Sequence, residues 1–360
     1  MKLLVISNSH EENSHKGQIE AFRDDNFGIE VLEISHCRFS DPEKNFNVVR
    51  DFLQRNEFDV VLILTPKLFP LKRDWFETLV GIIRERPIFY YDGDPWLHSF
   101  RHLHKPKNKR KSFSNQMSWW ASESEAIFTV AKKPHTEIFS RGKFNKVFYV
   151  PHTYCPIHFS QIEQTPPEKL DKFQNRVLMI GSNLASIPGI TGVPGSFKRL
   201  LTAILMRKYF KKSFQLFGPG WPRWWKIESL PFANQGSEIR NSKFTVNWDH
   251  FHKHVAYTSD RLCISLLAGR PHVTTRHSDM NWLPSEEIGL YQVRSPLELL
   301  KTSLRINRLD EEVLFAQGLA GHYWVKERLS HKQLAQYMLT RMGFPVNYKF
   351  VEPWSSLLKI

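Results

Sequence analysis

The chain has 360 residues, 41% of them hydrophobic, which allows a sizeable core and excludes a disordered protein. Lys and Arg outnumber Asp and Glu by 50 to 36, and a formal net charge of +14 indicates a polyanionic partner such as nucleic acid, anionic lipid or anionic glycan. The three widely spaced cysteines exclude a structural zinc site of the usual spacing and favour the reducing cytoplasm. The initial apolar run is too short for a signal peptide, and no stretch approaches the roughly 20 apolar residues of a membrane span.

Short apolar runs recur through the first half of the chain, each followed by a longer stretch with helical spacing. This rhythm predicts buried parallel strands joined by crossover helices. The predicted strands are Leu3–Ile6, Val60–Leu64, Ile88–Tyr91, Ile127–Val130 and Val147–Val150. We therefore expect residues 1–158 to form one doubly wound, Rossmann-like α/β domain.

Residues 159–174 are polar and contain two prolines, which predicts a linker. The strand and helix rhythm then starts again, with predicted strands Val177–Ile180, Gln215–Phe217, Phe244–Val246, His272–Thr274 and Tyr291–Val293. Residues 175–329 are expected to form a second Rossmann-like domain, followed by a C-terminal helix and tail over 330–360. Two such domains in tandem predict two crevices facing a common cleft.

Small and basic residues follow the first strands of the second domain. Gly181, Ser182 and Asn183 end one strand, and Lys198 and Arg199 lie near the start of the next helix. Small residues let backbone amides approach a phosphate, and basic residues add to the positive end of a helix dipole. The pattern favours a phosphate site, although a plain strand-to-loop turn has the same residues.

Glycines and a tryptophan follow the next strand, where Gly218 and Gly220 permit tight turns beside Trp221. The ring would stack on a nucleotide base, unless it is simply a buried tryptophan. Further along, Asn241 precedes a strand. Ser259, Asp260 and Arg261 begin a helix, which indicates either a pyrophosphate site or a capped helix with a surface ion pair.

The first domain, which we expect to bind the substrate that accepts a transferred group, has two sets of candidate residues, carboxylates and basic residues. Asp92 and Asp94 follow a buried strand directly, and either is a candidate general base for an acceptor hydroxyl, the alternative being an Asp- and Gly-rich turn. A basic segment over 98–111 lacks acids and indicates contact with phosphates, or else a solvated loop or a membrane contact. The candidate acceptor-binding residues are His10, Arg101, Lys105, Lys107, Lys109, Arg110, Lys111 and Trp119.

Several motifs of the second half, in order, resemble the GT-B glycosyltransferases of the group 1 type, especially the branch related to the spore-maturation protein CgeB. They are strands ending in Gly181-Ser182 and in Phe217-Gly218, Asn241-Ser242-Lys243 before a strand, and above all Ser259–Thr275. The resemblance spans about 110 residues and implies a nucleotide-sugar donor bound by the second domain, with no metal or other cofactor. The glutamates that hold the donor ribose in that family fall on Ile264 and Ala256 here, so either Asp260, Ser265 or backbone groups hold the ribose or the donor is atypical.

The sequence therefore predicts a glycosyltransferase that uses a nucleoside diphosphate sugar. The basic charge and neighbouring tryptophans favour duplex DNA with hydroxymethylated pyrimidines as acceptor, as in phage enzymes of this architecture. One alternative is transfer to a cell-surface polysaccharide, lipid-linked sugar or protein at an anionic membrane. Another is an inactive scaffold that binds nucleic acid.

Overall fold

The computed structural model describes residues 1–7, 14–35, 39–64, 71–93, 119–137, 146–169, 175–183 and 195–359. These residues divide into two compact units. The first unit takes the chain up to Val150 and the C-terminal segment from His331, and the second unit comprises Pro151–Ser330. Each unit contains one parallel sheet, so the predicted pair of doubly wound Rossmann-like domains is confirmed.

The first unit is built on a six-stranded sheet. Its strands are β1 (Lys2–Ser7), β2 (Glu30–Ser35), β3 (Val60–Leu64), β4 (Ile88–Asp92), β5 (Ala126–Thr129) and β6 (Val147–Tyr149), in the order β2-β1-β3-β4-β5-β6. The helices α1 (Ser14–Phe22), α2 (Pro42–Arg55) and α3 (Arg73–Ile83) connect them. Sequence reasoning missed β2, because this edge strand is only partly buried and two glutamates interrupt its apolar residues.

The second unit is built on a five-stranded sheet. Its elements are α4 (Ser160–Gln164), β7 (Asn175–Ile180), α5 (Ser196–Phe210), β8 (Phe214–Phe217), α6 (Gln235–Arg240), β9 (Ser242–Val246), α7 (Asp260–Leu267), β10 (His272–Thr275), β11 (Leu290–Val293), α8 (Pro296–Ile306) and α9 (Glu311–Arg328). The strand order is β11-β10-β9-β7-β8, with every pair parallel. The order reverses between β7 and β9, which makes this place the topological switch point of the sheet.

The boundary between the units lies at Pro151, earlier than the predicted end of the first domain at residue 158. Part of the predicted linker forms α4, and Phe159 and Ile162 are buried in the core of the second unit beside Leu178. These apolar residues stand among polar residues and prolines, so composition alone indicated a linker. They share this core with Ile239 of α6 and Leu266 of α7, so α4 is part of the second unit.

The C-terminal segment belongs to the first unit instead of forming a separate tail. Helix α10 (His331–Arg341) is followed by a short helix, α11 (Trp354–Leu357). Lys332 of α10 forms an ion pair with Asp24, with a distance of 2.6 Å between Nζ and Oδ2. Trp354 is fully buried, with its ring centroid 5.4 Å from that of Tyr337. These contacts attach the end of the chain to the first domain.

Candidate functional site

A buried arginine lies at the switch point of the second sheet. The Nη1 of Arg199 donates a hydrogen bond of 3.0 Å to the carbonyl of Trp248, which follows β9, and its Nη2 donates one of 3.4 Å to the carbonyl of Ile180 at the end of β7. Arg199 is 4% exposed. Ligands of open α/β sheets bind outside the carboxyl ends of the strands at this point. The arginine predicted from sequence therefore occupies the expected place.

Arg199 carries its charge without a bonded counter-ion. Within the described part of the chain, no carboxylate is hydrogen-bonded to it, and its Nε has no partner. Burial, and then the nearby guanidinium of Arg261, lower the pKa of Arg199 to about 10, while Asp249 acts in the opposite direction. The side chain remains charged at neutral pH. Because a buried cation is costly unless it is paired, an anion bound here would stabilise the site.

The start of α5 adds a second feature that suits an anion. Gly195 precedes the helix and has no side chain with which to cap its first turn. A Cβ at Gly195 would overlap the carbonyl oxygen of Asp249, so the glycine allows the helix to begin against the loop after β9. Ser196 is 2% exposed, and its hydroxyl has no partner among the residues described. An uncapped helix start offers N–H groups and the positive end of the dipole.

Four polar side chains gather after β9 and β10. The carboxylate of Asp249 accepts hydrogen bonds from the amide of Asn247 and, at 3.2 Å, from the hydroxyl of Thr275. The Nε2 of His277 lies 3.7 Å from the same carboxylate. Burial raises the pKa of Asp249 and lowers that of His277. The Oδ1 of the fully buried Asn247 has no partner within the described ranges, so it can accept a hydrogen bond from a ligand hydroxyl or amine.

The glycines after β7 and β8 hold two loops together. The amides of Gly181 and Asn183 donate to the carbonyls of Phe217 and Pro219, both at 2.9 Å. A Cβ at Gly218 would lie 2.5 Å from the carbonyl oxygen of Gly181. Two of the three amides predicted to approach a phosphate are therefore used within the protein. This corrects the prediction for Gly181 and Asn183, because close backbone packing already explains the small residues.

Trp221 belongs to the hydrophobic core and is not an open stacking platform. It is 7% exposed, its indole N–H donates to the carbonyl of Gly181 at 3.0 Å, and its ring stacks on Trp225 with centroids 6.0 Å apart. Gly220 has a φ of +82°, and a Cβ there would overlap the carbonyl oxygen of Asn183. The predicted base-stacking role of Trp221 is thus corrected to a packing role.

Asn241 lies at the opposite edge of the sheet from the switch point. It ends α6 and immediately precedes β9, and its amide donates to the carbonyl of Ser237 at 3.2 Å. A residue before a strand lies at the amino end of that strand, whereas the cluster after β9 lies at the carboxyl end. The structure therefore separates Asn241 from the candidate site, contrary to its predicted role in donor binding.

The start of α7 combines a cap with an ion pair. The hydroxyl of Ser259 accepts from the amide of Arg261 at 3.3 Å and donates to Asp260 at 3.1 Å, and Asp260 is paired with Arg261. The side chains of Asp260 and Arg261 retain 29% and 25% exposure. Arg261 also influences the pKa of Arg199, so the two guanidinium groups are neighbours. The structure shows the capped helix with an ion pair, and this helix start also brings a second cation near Arg199.

The positions where the related family has ribose-binding glutamates are apolar here and lie inside the protein. Ile264 is 1% exposed and packs in the core with Leu178 and Leu266. Ala256 is fully buried, with a φ of +58°. A carboxylate at residue 264 would have to be buried among aliphatic side chains. Any ribose contact in this chain must come from other groups.

In the first unit, the structure pairs Asp92 with a histidine that sequence reasoning did not single out. The Oδ2 of Asp92 lies 2.5 Å from Nε2 of His135, and both side chains have no exposure to solvent. Tyr90 is also buried near Asp92, and burial raises its pKa. Because a general base must reach the acceptor, this closed pair favours a structural role for Asp92 over the predicted role of base. Asp94, the other candidate, lies outside the described residues.

The acceptor-binding prediction is only partly accessible to description. His10 and the basic residues lie outside the described residues, namely Arg101, Lys105, Lys107, Lys109, Arg110 and Lys111. Trp119 is described, and it packs against Phe76 with centroids 5.5 Å apart while the guanidinium of Arg73 lies 5.1 Å from its ring. The ring is partly buried against the core of the first unit. These contacts give Trp119 a packing role, and its predicted role in acceptor binding stays a prediction.

The residues that the structure describes show neither a metal-binding cluster nor a membrane-spanning helix. They contain no group of three or more His, Cys, Asp and Glu side chains placed to hold a metal ion. Their helices include none with the length and apolar content needed to cross a bilayer.

Sequence reasoning missed three polar residues of the site, namely Asp249, Thr275 and His277. Each follows or ends a strand, and Asn247 to Asp249 come directly after the buried run of β9. The position after a buried parallel strand was the available signal. The role of Asp249 depends on hydrogen bonds across two loops, which spacing along the chain does not reveal.

Comparison with solved structures places the whole chain in one architecture. Sucrose-phosphate synthase from Thermosynechococcus elongatus has a TM-score of 0.59 at 11% identity, covering 96% of this chain and 100% of that chain. The DNA-modifying enzyme β-glucosyltransferase has a TM-score of 0.58 at 10% identity, covering 95% and 100%. HepE from Anabaena, solved with UDP and glucose, has a TM-score of 0.55 at 13% identity, covering 95% and 99%. The chain therefore has the GT-B fold.

At these identities the likeness establishes the fold. A scan against protein-family models finds no match to the sequence, and a search of curated proteins finds none. The resemblance to the CgeB-related branch accordingly remains a prediction from motifs.

Proposed function

We propose that this chain is a nucleotide-sugar-dependent hexosyl- or pentosyltransferase. The observation that carries the proposal is the buried guanidinium of Arg199, to which no described carboxylate is hydrogen-bonded, at the switch point of the second sheet. Arg261 lies near it, and the start of α5 lies against the loop after β9. Two cations and a helix N-terminus match the charge of a pyrophosphate.

In this proposal the bond between the sugar and the nucleoside diphosphate breaks while the acceptor oxygen bonds to the sugar. Negative charge then grows on the leaving phosphate, and Arg199, Arg261 and the α5 dipole stabilise it. Asn247 and Asp260 are the candidates for contact with sugar and ribose hydroxyls. The Oδ1 of Asn247 has no partner among the described residues, and Asp260 is a partly exposed carboxylate. We also propose that the charge is stabilised by these groups without a metal ion.

Acceptor activation is assigned to Asp94, two residues after the end of β4. If the reaction inverts configuration, this carboxylate would take the acceptor proton. The buried pair of Asp92 and His135 would fix the end of β4, from which the segment with Asp94 continues. Asp92 is a positioning residue in this scheme.

For the acceptor, we propose hydroxymethylated pyrimidines in duplex DNA. The net charge of +14 supports a polyanion, and one structure of the same fold belongs to a DNA-modifying β-glucosyltransferase. The competing acceptor class is a cell-surface polysaccharide, lipid-linked sugar or protein. An exposed surface of the second unit, described below, favours contact with a membrane and keeps this class in view.

The donor proposal is tested by thermal unfolding in the presence of nucleoside diphosphates and nucleotide sugars, with and without a chelator. A ligand that binds only the native state at about 100 times its Kd adds about 2.7 kcal/mol to the free energy of unfolding. We expect one nucleotide to raise Tm in the wild type and in Arg207→Met, an exposed position on the same helix, but not in Arg199→Met. A panel without any shift would instead favour the inactive scaffold.

The acceptor proposal needs its own assay. Transfer of labelled sugar from the donor identified above is measured on duplex DNA with hydroxymethylcytosine and on the same duplex with cytosine. Incorporation only into the hydroxymethylated duplex is expected. Donor binding without transfer to either duplex would contradict DNA as acceptor and leave the donor assignment intact.

A further inference from the structure

The outer face of α5 exposes a row of large apolar side chains. Phe197, Leu201 and Ile204 are 74%, 37% and 44% exposed. Their spacing of four and three residues places them on one face of the helix, opposite the side on which Ala203 and Met206 are buried. An apolar row of this kind costs free energy in water, so its presence on the surface indicates a partner.

A second exposed ring belongs to the same region. Trp224 is 81% exposed, and its neighbour Trp225 lies under the guanidinium of Arg207 at 4.6 Å. Because Arg207 is on α5, this contact fixes the turn with Trp224 beside the second half of the helix. Tyr209, near the end of α5, is 52% exposed.

The charged residues of this stretch of the chain have one sign. Residues 195–227 contain eight Lys and Arg and no Asp or Glu. The exposed members are Arg207, Lys208, Lys211, Lys212, Arg223 and Lys226. Two copies of this surface would repel each other, so self-association is disfavoured. An anionic partner is favoured instead.

We propose that this surface, formed by the outer face of α5 and residues 207–226, docks on an anionic lipid bilayer. Nucleic acid complements the lysines and can stack on Trp224, but it has no counterpart for the aliphatic side chains of Leu201 and Ile204. The boundary between headgroups and acyl chains accepts both kinds of group, with aromatic rings at the headgroup level. Each basic residue near an anionic membrane strengthens binding by about fivefold. The surface would hold the second unit against the membrane, whatever the acceptor is.

The test is co-sedimentation of the full-length protein with vesicles of phosphatidylcholine alone or with phosphatidylglycerol added. We expect binding only to the anionic vesicles, reduced by salt. Lys208→Gln with Lys212→Gln should lower the partition constant by about 25-fold, from about fivefold per charge. Trp224→Ser should lower it as well, whereas Tyr323→Ser, at an aromatic position on α9 that is 52% exposed, should leave it unchanged.

Three results would overturn the proposal. One is equal sedimentation with neutral and anionic vesicles or with none. Another is equal loss in the Trp224 and Tyr323 variants. The third is a duplex-DNA gel shift that Trp224→Ser abolishes while vesicle binding persists, which would assign the surface to nucleic acid. Since none of these readouts requires donor binding, they are independent of the proposed transferase activity.

Discussion

Gly181 leaves the space that the guanidinium of Arg199 occupies. A Cβ at residue 181 would overlap Nη2 of Arg199, and the φ of Gly181 is +142°, a value that residues with side chains rarely adopt. The first glycine after β7 therefore acts through a side chain on the next helix. It allows the arginine to reach the carbonyl of Ile180 and lie across the switch point.

Gly181→Ala should displace Arg199 as well as strain the backbone. Gly28 and Gly81 provide matched controls, because a Cβ at either meets open space, and only Gly28 has a positive φ, of +59°. We expect Gly81→Ala, in an exposed helical position, to stabilise by about 0.5 to 1 kcal/mol, Gly28→Ala to cost about 1 to 2 kcal/mol, and Gly181→Ala to cost more. Urea unfolding measures the three values. Only Gly181→Ala should also abolish stabilisation by the nucleotide, and its retention would show that Arg199 does not contact the donor.

The glycines illustrate how far sequence reasoning reached. Their position after parallel strands predicted that they lie at the carboxyl ends of those strands, because the rhythm of strands and helices is enough to show this. Their purpose was different from the one predicted, since Gly181 makes room for an arginine and Gly218 for a neighbouring backbone. Contacts between residues far apart in sequence decide this, and a single sequence does not contain them.

Trp221 and Trp224 are close in sequence and should respond differently to the same substitution. Trp221→Phe removes the hydrogen bond to the carbonyl of Gly181 and leaves that buried carbonyl without its donor, at a cost of about 1 to 3 kcal/mol. Trp224→Phe changes an 81% exposed ring and should alter the free energy of unfolding by less than about 0.5 kcal/mol. Chemical denaturation compares the two variants. An unchanged stability in Trp221→Phe, with weaker donor binding, would restore the base-stacking interpretation.

His272 should make the second unit sensitive to acid. Burial, with a smaller contribution from His277, lowers the pKa of His272 to about 3, while the pKa of a histidine in the unfolded chain is about 6.5. Between these values only the unfolded state takes up a proton, so stability is lost as the pH falls from about 6.5 towards 3. The loss approaches about 1.4 kcal/mol per pH unit.

The check is urea unfolding at pH 7.5, 6, 5 and 4 for the wild type and His272→Asn. The variant should be less stable at pH 7.5, because it loses the 2.7 Å contact between His272 Nδ1 and the Thr245 hydroxyl and some packing. Its stability should then fall less steeply with acid than that of the wild type. Parallel pH profiles would show that His272 does not cause the acid sensitivity.

The first unit shows where sequence reasoning stops. Asp92 was identified correctly as the end of a buried strand, and its chemistry suggested a base. Its partner His135 lies 43 residues later, after β5, and only the pairing of β4 with β5 brings the two together. The same limit applies to Trp119, whose packing on Phe76 depends on α3. In both cases the contact joins residues that are far apart in sequence, and the local pattern around each residue does not reveal it.

The roles of Asp92 and Asp94 are distinguished by measuring stability and turnover in the same variants. Asp92→Asn and His135→Asn should each lower the free energy of unfolding by about 3 kcal/mol, because either leaves the other member of a buried pair without its partner. The double variant should cost less than the sum, as expected for residues in contact.

Asp94→Asn should lower kcat by about 10² to 10⁴, as removal of a general base does, with donor binding retained. Asp92→Asn, assayed well below its Tm, should retain turnover within about tenfold of the wild type. The reverse pattern, with a stable but inactive Asp92→Asn and an active Asp94→Asn, would assign the base to Asp92. It would also require the pair with His135 to open when the acceptor binds, since both side chains are fully buried.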